Sequence, residues 1–156
     1  MTEFRPLVPQ DRDAFQEFVR GLSADARANR FLAPVKELSP ATLEAMTQPD
    51  QARHVAIVAT DGDRIIGEGR YVAVAGNGRA EFAIAVADDW QRRGIGARLL
   101  ASLMVAARFA GLQALEGEVL RTNTAMLEFA RRVGFALKGC SGDARLLVAE
   151  RILVAD

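Results

Sequence analysis

The chain has 156 residues, half of them hydrophobic, and its 20 Lys and Arg residues balance its 20 Asp and Glu residues to a formal net charge of zero. This length and apolar content suffice for the core of one domain, predicted over residues 1–156, without disulfide or metal support. Nothing in the overall charge favours nucleic acid or an anionic membrane surface as a partner.

Residues that staple small folds or bind metals are scarce. Cys140 is the only cysteine and His54 the only histidine, which excludes an intrachain disulfide and a metal cluster of cysteines and histidines. The N-terminus lacks the apolar core of a secretory leader, and no apolar run reaches the roughly 18 residues of a membrane span. We therefore expect a metal-free cytoplasmic protein that does not bind a membrane.

The first third of the chain predicts an edge strand and two helices. Pro6 and Pro9 each lack a ladder donor, as suits an edge or the end of a strand. Ser39 followed by Pro40 is typical of a helix start. In chain order the expected elements are a strand over residues 4–8, a helix over residues 11–21, a loop over residues 27–34, and a helix from Pro40 that ends before Pro49.

Three strands are then predicted in a meander, over residues 54–60, 65–74 and 80–86. The connections at residues 61–63 and 76–78 are short and contain glycine, as antiparallel hairpins require. Gly67 and Gly69 interrupt the middle strand, which predicts a bulge or a close approach of backbone there.

The third of these strands leads through a glycine-containing turn directly into a helix. Apolar residues recur every four positions from Ile95 to Ala107, the spacing of a helix with one buried face. Residues 91–96 fit Q-x-x-G-x-G, in which glycines let backbone approach a ligand and the helix start offers unpartnered N–H groups. Such a turn favours a phosphate or pyrophosphate. Three arginines add positive charge nearby: Arg92, Arg93 and Arg98.

Two other phosphate-binding loops are excluded by spacing. The chain has no G-x-x-x-x-G-K-[ST], and Leu99 stands where G-x-G-x-x-G requires its third glycine. The alternative is a tight turn with two glycines and solvated arginines. The direct passage from strand to helix favours the anion site over that alternative.

The last third predicts a strand over residues 114–120, a helix over residues 124–133, a return that begins at Phe135, and a final strand over residues 144–154. A helix between strands 80–86 and 114–120 is typical of a parallel right-handed crossover, so the sheet is expected to be mixed. Several side chains could cap the two helices: Asp88 or Asp89 the first, and Thr122 or Asn123 the second.

At these residues the sequence resembles a known family. V-x-D-D-W-Q-R-R-G-I-G-A-R-L-L, over residues 86–100, is similar to the acetyl-CoA-binding motif of the GNAT N-acetyltransferase superfamily, and residues 123–135 are similar to its second motif. The resemblance implies an α+β (mixed α/β) fold, with a central mixed, mostly antiparallel sheet, helices on both faces, and one β-α-β crossover at the cofactor site. It also implies that two central strands splay at a bulge near Val86 and that the pantetheine arm lies in the gap.

The resemblance also implies a set of residues that contact acetyl-CoA, and no metal. Asn123 has an open alternative role as a helix cap. The implied cofactor-binding residues are Val86, Ala87, Gln91, Arg92, Arg93, Gly94, Ile95, Gly96, Ala97, Arg98 and Asn123.

Longer stretches look like the acetyltransferase domain of the bacterial Pat-type protein lysine acetyltransferases. They are RPLVPQD, RFLAPVKELSP, AEFAIAVADDWQRRGIG and GEVLRTNTAMLEFARRVGF, so the resemblance runs from Arg5 to Phe135. It implies transfer of acetyl from acetyl-CoA to an amine acceptor, in this group a protein lysine. Dimers are common among such proteins, which leaves a homodimer open.

The implied reaction needs a base, because a lysine with a pKa of about 10.4 is almost wholly protonated near neutral pH. Glu81 occupies the position of the catalytic glutamate of Pat-type enzymes and is the candidate base. Glu118, on the next strand, is the second candidate or a partner of the substrate ammonium. A backbone N–H near Val86 would stabilise the thioester oxygen. Ala130 stands where many members of the superfamily carry a tyrosine general acid.

Three functions follow as hypotheses. The first is an acetyl-CoA-dependent protein lysine N-acetyltransferase. The second is an acetyltransferase of a small amine, since fold and cofactor motif do not determine the acceptor. The third is a non-catalytic acyl-CoA-binding regulatory module, which the missing tyrosine suggests.

Overall fold

One seven-stranded sheet organises the computed structural model, which describes residues 1–153. The strands are Thr2–Pro6 (β1), His54–Asp61 (β2), Arg64–Val74 (β3), Arg79–Val86 (β4), Ala114–Leu120 (β5), Ala136–Gly139 (β6) and Leu146–Ile152 (β7). The helices are Arg12–Gly21 (α1), Ala24–Phe31 (α2), Pro40–Met46 (α3), Ile95–Phe109 (α4) and Thr124–Arg132 (α5).

The strands lie in the order β1-β2-β3-β4-β5-β7-β6. Every neighbouring pair is antiparallel except β4 and β5, which are parallel and are connected through α4. The predicted fold, a mixed and mostly antiparallel sheet with one β-α-β crossover, is confirmed. β1 lies at one edge, as Pro6 predicted.

Alternation along β3 directs side chains to two different helix layers. Gly67 and Gly69 face α4, and a Cβ on either glycine would lie 3.2 to 3.3 Å from apolar side chains of that helix. Glu68 and Arg70 point the other way and contact α2 and α1. Helices therefore cover both faces, and α4 packs unusually close to the strand where the two glycines lie.

The apolar stripe predicted for α4 is buried. Ile95, Leu99, Leu103 and Ala107 are each at most 5% exposed. The irregularity predicted at the β3 glycines also occurs, because the pairing of β2 with β3 shifts register between Ala59 and Thr60. The predicted close approach comes from the side chains of α4 rather than from another backbone.

The loop predicted over residues 27–34 is wrong, because most of it belongs to α2. Ser23 caps this helix through its side-chain oxygen, which accepts the Ala26 N–H at 3.1 Å. The alanines that follow are strong helix formers. Leu32 ends the helix in the left-handed conformation, with φ of 59°.

The two terminal strands differ from their predicted bounds. β1 begins two residues earlier than expected and ends at Pro6. The final strand, predicted over residues 144–154, is confirmed as β7, while Val154 lies outside the described residues. β6 forms an antiparallel pair with β7 where only a return from Phe135 was predicted. Within residues 1–153, no helix combines the length and the apolar character needed to cross a membrane.

Candidate active site

β4 and β5 separate shortly after they begin to pair. Their ladder has only three pairs and ends with Glu81 opposite Glu116. β4 meanwhile pairs with β3 in unbroken register as far as Val86. The bulge predicted near Val86 is therefore wrong. The strands β4 and β5 separate after Glu81, where their ladder ends.

A cleft of about 950 Å³ opens at this divergence. Four parts of the fold supply its walls: α2, the second half of β4 with the turn into α4, β5 and α5. The residues that line it are Ser23, Asp25, Ala26, Asn29, Arg30, Phe82, Ala83, Ile84, Ala85, Val86, Asp88, Trp90, Gln91, Arg92, Gly94, Ile95, Gly96, Ala97, Gly117, Glu118, Val119, Asn123, Ala125, Met126, Glu128, Phe129 and Arg132.

The turn before α4 is shaped for an anion. Arg92 and Gly94 adopt the left-handed conformation, with φ of 64° and 80°. For Arg92, which carries a Cβ, this conformation costs about 1 kcal/mol. The first hydrogen bond of α4 runs from the Arg98 N–H to the Gly94 oxygen at 3.1 Å. The preceding N–H groups have no acceptor within the helix, so they and the positive end of the helix dipole suit a phosphate.

No side chain caps α4 at Gly94, so the predicted capping by Asp88 or Asp89 is wrong. Asp88 accepts the Ser23 N–H at 3.1 Å and thereby ties the start of α2 to this turn. Asp89 pairs with Arg64 at 3.0 Å. Neither aspartate therefore occupies the N–H groups at the start of α4.

Eight of the eleven predicted cofactor-binding residues line the cleft: Val86, Gln91, Arg92, Gly94, Ile95, Gly96, Ala97 and Asn123. Gln91 additionally donates its amide N–H to the Val86 oxygen at 3.2 Å, which braces the turn against β4.

The other three predicted cofactor-binding residues do not line the cleft. Ala87 is buried. The Arg93 guanidinium lies 4.7 Å from the ring centre of Trp90. The Arg98 guanidinium lies 4.0 Å from the ring centre of Phe4. Of the three predicted arginines, Arg92 alone extends along the cleft wall.

The two candidate bases differ in their surroundings. Glu81 is exposed, sits opposite Val72 of β3 and Glu116 of β5, and lies one residue before Phe82, at which the cleft lining begins. Glu118 lines the cleft and accepts a hydrogen bond from the Cys140 thiol at 3.6 Å. Partial desolvation and the Glu118 carboxylate raise the pKa of the Cys140 thiol, which therefore stays protonated as the donor.

Two residues of the second motif occupy defined places. Asn123 caps α5 by accepting the Met126 N–H at 3.2 Å, and it also lines the cleft, so both of its predicted roles are compatible with its position. Ala130 is 1% exposed and packs in the core from the buried face of α5. Among the cleft-lining residues, all of which lie within residues 1–153, none is tyrosine, histidine or cysteine.

The α2 wall of the cleft was not predicted from the sequence. Four of its residues, Asp25, Ala26, Asn29 and Arg30, line the cleft opposite β4. The Ser23 cap and the alanines that follow are the signal that could have revealed this helix.

The geometry has counterparts among known proteins. A profile of the acetyltransferase (GNAT) family matches residues 19–135. The chain belongs to this family. It is accordingly an acyltransferase whose acetyl donor is acetyl-CoA.

Three similar proteins are informative. An acetyltransferase of Pseudomonas aeruginosa is 36% identical over 135 residues, which are 84% of this chain and 73% of the relative. The acetyltransferase Pat of Mycolicibacterium smegmatis is 34% identical over 133 residues, 83% of this chain but only 40% of Pat. The crystal structure of the GNAT domain of S. lividans PAT superposes with a TM-score of 0.91 at 28% identity and covers 97% of this chain and 90% of that domain.

No metal site accompanies this cleft in the part of the chain that the structure describes. Residues 1–153 contain no group of three or more histidine, cysteine, aspartate or glutamate side chains able to hold an ion.

Proposed function

We propose that this protein transfers the acetyl group of acetyl-CoA to the ε-amino group of lysine residues in other proteins. The similarity to Pat-type acetyltransferases across both motifs carries the proposal. The chain spans 40% of the length of Pat, so the activity assigned is that of the domain alone. The proposed site of action is the cytoplasm.

Glu81 is the proposed general base. Its side chain is exposed where β4 leaves β5, on the sheet face that α2 covers. A carboxylate there can take a proton from the lysine ammonium, directly or through a water. The free amine then attacks the thioester carbon and an N–C bond forms. The C–S bond breaks, the attacking nitrogen releases its second proton to solvent, and coenzyme A leaves as a thiolate.

The unpaired edge of β4 is proposed to hold the thioester. From Phe82 onward β4 has no partner on the β5 side within the described residues, so its backbone groups there are available to the pantetheine arm and to the oxygen that becomes negative. The N–H groups of residues 94–97 and the Arg92 side chain are proposed to bind the pyrophosphate. The coenzyme A thiolate is proposed to leave unprotonated, since the cleft-lining residues within residues 1–153 include no tyrosine, histidine or cysteine.

The test is to incubate the purified protein with isotope-labelled acetyl-CoA and a cell lysate, and to locate the label by mass spectrometry. We expect label on specific protein lysines, lost with Glu81→Gln and retained with Glu118→Gln. Label confined to small amines would replace the lysine assignment with a small-molecule acceptor. Acetyl-CoA binding without any enzyme-dependent label would favour a binding module.

A further inference from the structure

A charged cluster is buried beside the α2 wall of the cleft. Glu68 of β3 is 1% exposed and bonds to two guanidinium groups, Arg30 of α2 at 2.6 Å and Arg70 of β3 at 2.9 Å. Burial raises the pKa of the Glu68 carboxyl, but the charges and hydrogen bonds of the two arginines outweigh it and hold the pKa below its ordinary range. Glu68 is therefore an internal carboxylate held by two cations.

The cluster is connected well beyond its three members. Arg70 donates to the Met46 oxygen at the end of α3 at 2.9 Å and lies 5.3 Å from the ring centre of Phe15 on α1. A second nitrogen of its guanidinium, Nη2, is buried without a hydrogen-bond partner. Such a group costs free energy, and well-packed apolar residues in place of a buried ion pair often give equal or greater stability. Stability alone therefore does not account for the cluster.

The charged cluster lies directly beside the cleft. On β4, Ala85 pairs opposite Glu68 and Ala83 opposite Arg70, and both alanines line the cleft. Arg30 also lines the cleft. The cluster therefore joins the floor of the cleft, formed by β4, to the α2 wall that faces it.

α2 has little other than polar contacts to hold it in place. None of its residues is buried. At its start the Ser23 N–H donates to Asp88, near its end Arg30 pairs with Glu68, and between them Arg27 donates to the Val35 oxygen at 2.7 Å. Apolar contacts from Ala26 and Phe31 supplement these bonds. The Arg30–Glu68 pair is the only salt bridge, within residues 1–153, between α2 and the sheet.

We propose that Glu68 and Arg70 are positioning residues for acetyl transfer, which act through Arg30 to hold α2 at the distance from β4 that the acceptor amine requires. They touch neither donor nor acceptor. Loss of the link lets the Arg30 end of α2 move away from β4, so the acceptor binds more weakly, while the bond from the Ser23 N–H to Asp88 holds the start of α2 and the turn before α4 in place. This inference rests on acetyl transfer by the cleft. Its second test, which measures KM for a protein acceptor, rests in addition on the lysine transfer proposed above.

The first test is Arg30→Met, which keeps the aliphatic stem, removes the link to α2 and leaves Glu68 paired with Arg70. Hydrogen exchange should become faster at the amides of residues 24–31 and remain unchanged in β3 and β4. The matched control is Arg20→Met, which removes an exposed arginine paired with Glu17 and Glu37. Unchanged exchange in α2, or equal acceleration in the control, would overturn the proposal.

The second test separates positioning from general stability. With lysate protein as acceptor, Arg30→Met should raise the apparent KM for the acceptor about tenfold, while kcat at saturation and the Kd of acetyl-CoA change less than about twofold. Arg30→Lys, which keeps a cation beside Glu68, should recover part of the lost acceptor affinity. A lowered melting temperature with unchanged KM would mean that the cluster is merely structural. If the wild type labelled no protein lysine, the proposed function would fail, and the exchange difference would still decide this inference.

Discussion

Gly117 of β5 lies directly against Phe82 of β4, at the first position after their ladder ends. A Cβ placed on Gly117 would lie 2.9 Å from both the Phe82 backbone oxygen and its ring Cε1. Both residues line the cleft. The strands therefore begin to separate at a contact that only a residue without a side chain permits.

Gly117→Ala should destabilise the protein and weaken acetyl-CoA binding together. The Phe82 oxygen belongs to a paired strand and cannot move freely, so the added methyl should cost about 1 to 3 kcal/mol, as overpacking typically does. Denaturant unfolding and calorimetric binding of acetyl-CoA measure the two effects. Gly139→Ala is the control, since a Cβ there meets nothing within 4 Å. Unchanged binding in a destabilised Gly117→Ala protein would show that this contact does not shape the cleft.

The two neighbouring arginines of the turn should contribute unequally to cofactor binding. Arg92→Ala should weaken coenzyme A binding about tenfold, equivalent to roughly 1.5 kcal/mol for one charge-assisted hydrogen bond. Arg93→Ala should change it less than about twofold, because that guanidinium lies on the Trp90 ring and does not line the cleft. Titrations at low and high salt should show a weaker salt dependence for Arg92→Ala. A larger effect of Arg93→Ala would reverse the assignment.

Tyr71→Phe should leave acetyl transfer intact. Tyr71 is the only tyrosine, is 1% exposed, and packs in the core cluster that contains Phe82 and Leu103. Burial raises the pKa of its phenol, which makes it a poorer proton donor to a leaving thiolate. We expect kcat within about twofold of wild type in the same assay that Glu81→Gln abolishes. A loss of a hundredfold or more would identify Tyr71 as the general acid that Ala130 does not supply.

The cofactor turn was predictable because its signal is local. Gly94 and Gly96 supply backbone freedom and unpartnered N–H groups within a few residues. Apolar residues recur every two positions before the turn and every four positions after it, which predicts the strand and the helix on either side. Sequence reasoning could not tell which arginines would face the ligand. Arg93 and Arg98 lie on the aromatic rings of Trp90 and Phe4, and the contact with Phe4 joins residues far apart in the chain.

The α2 wall of the cleft was not predictable in the same way. α2 has no buried apolar stripe, and the partner that holds Arg30 in place is Glu68, 38 residues further along the chain. The β4–β5 ladder likewise ends beside a tertiary contact, Gly117 against Phe82, and not at a local bulge near Val86. Local patterns thus predicted the turn before α4, while long-range polar contacts hold the α2 wall of the cleft in place.

His54 should make stability fall as the solution becomes mildly acidic. Burial, then the nearby Arg70 guanidinium, lowers the pKa of the His54 imidazole, although Asp50 and Glu68 oppose this. The Nε2 atom lies 3.0 Å from Arg70 Nη1, so the neutral ring accepts that donor and a protonated ring would repel it.

The unfolded chain takes up this proton near its ordinary pKa of about 6.5, whereas the folded protein takes it up only at lower pH. Between these two values the unfolded state binds more protons, so the free energy of unfolding should decrease as pH falls below about 6.5 and level off below the folded pKa. Urea unfolding at several values between about pH 7.5 and 5.5 measures the slope, in a range above the ordinary carboxylate pKa values. His54→Gln, which keeps a hydrogen-bond acceptor but does not titrate, should flatten it. An equal slope in wild type and His54→Gln would assign the pH dependence to other groups.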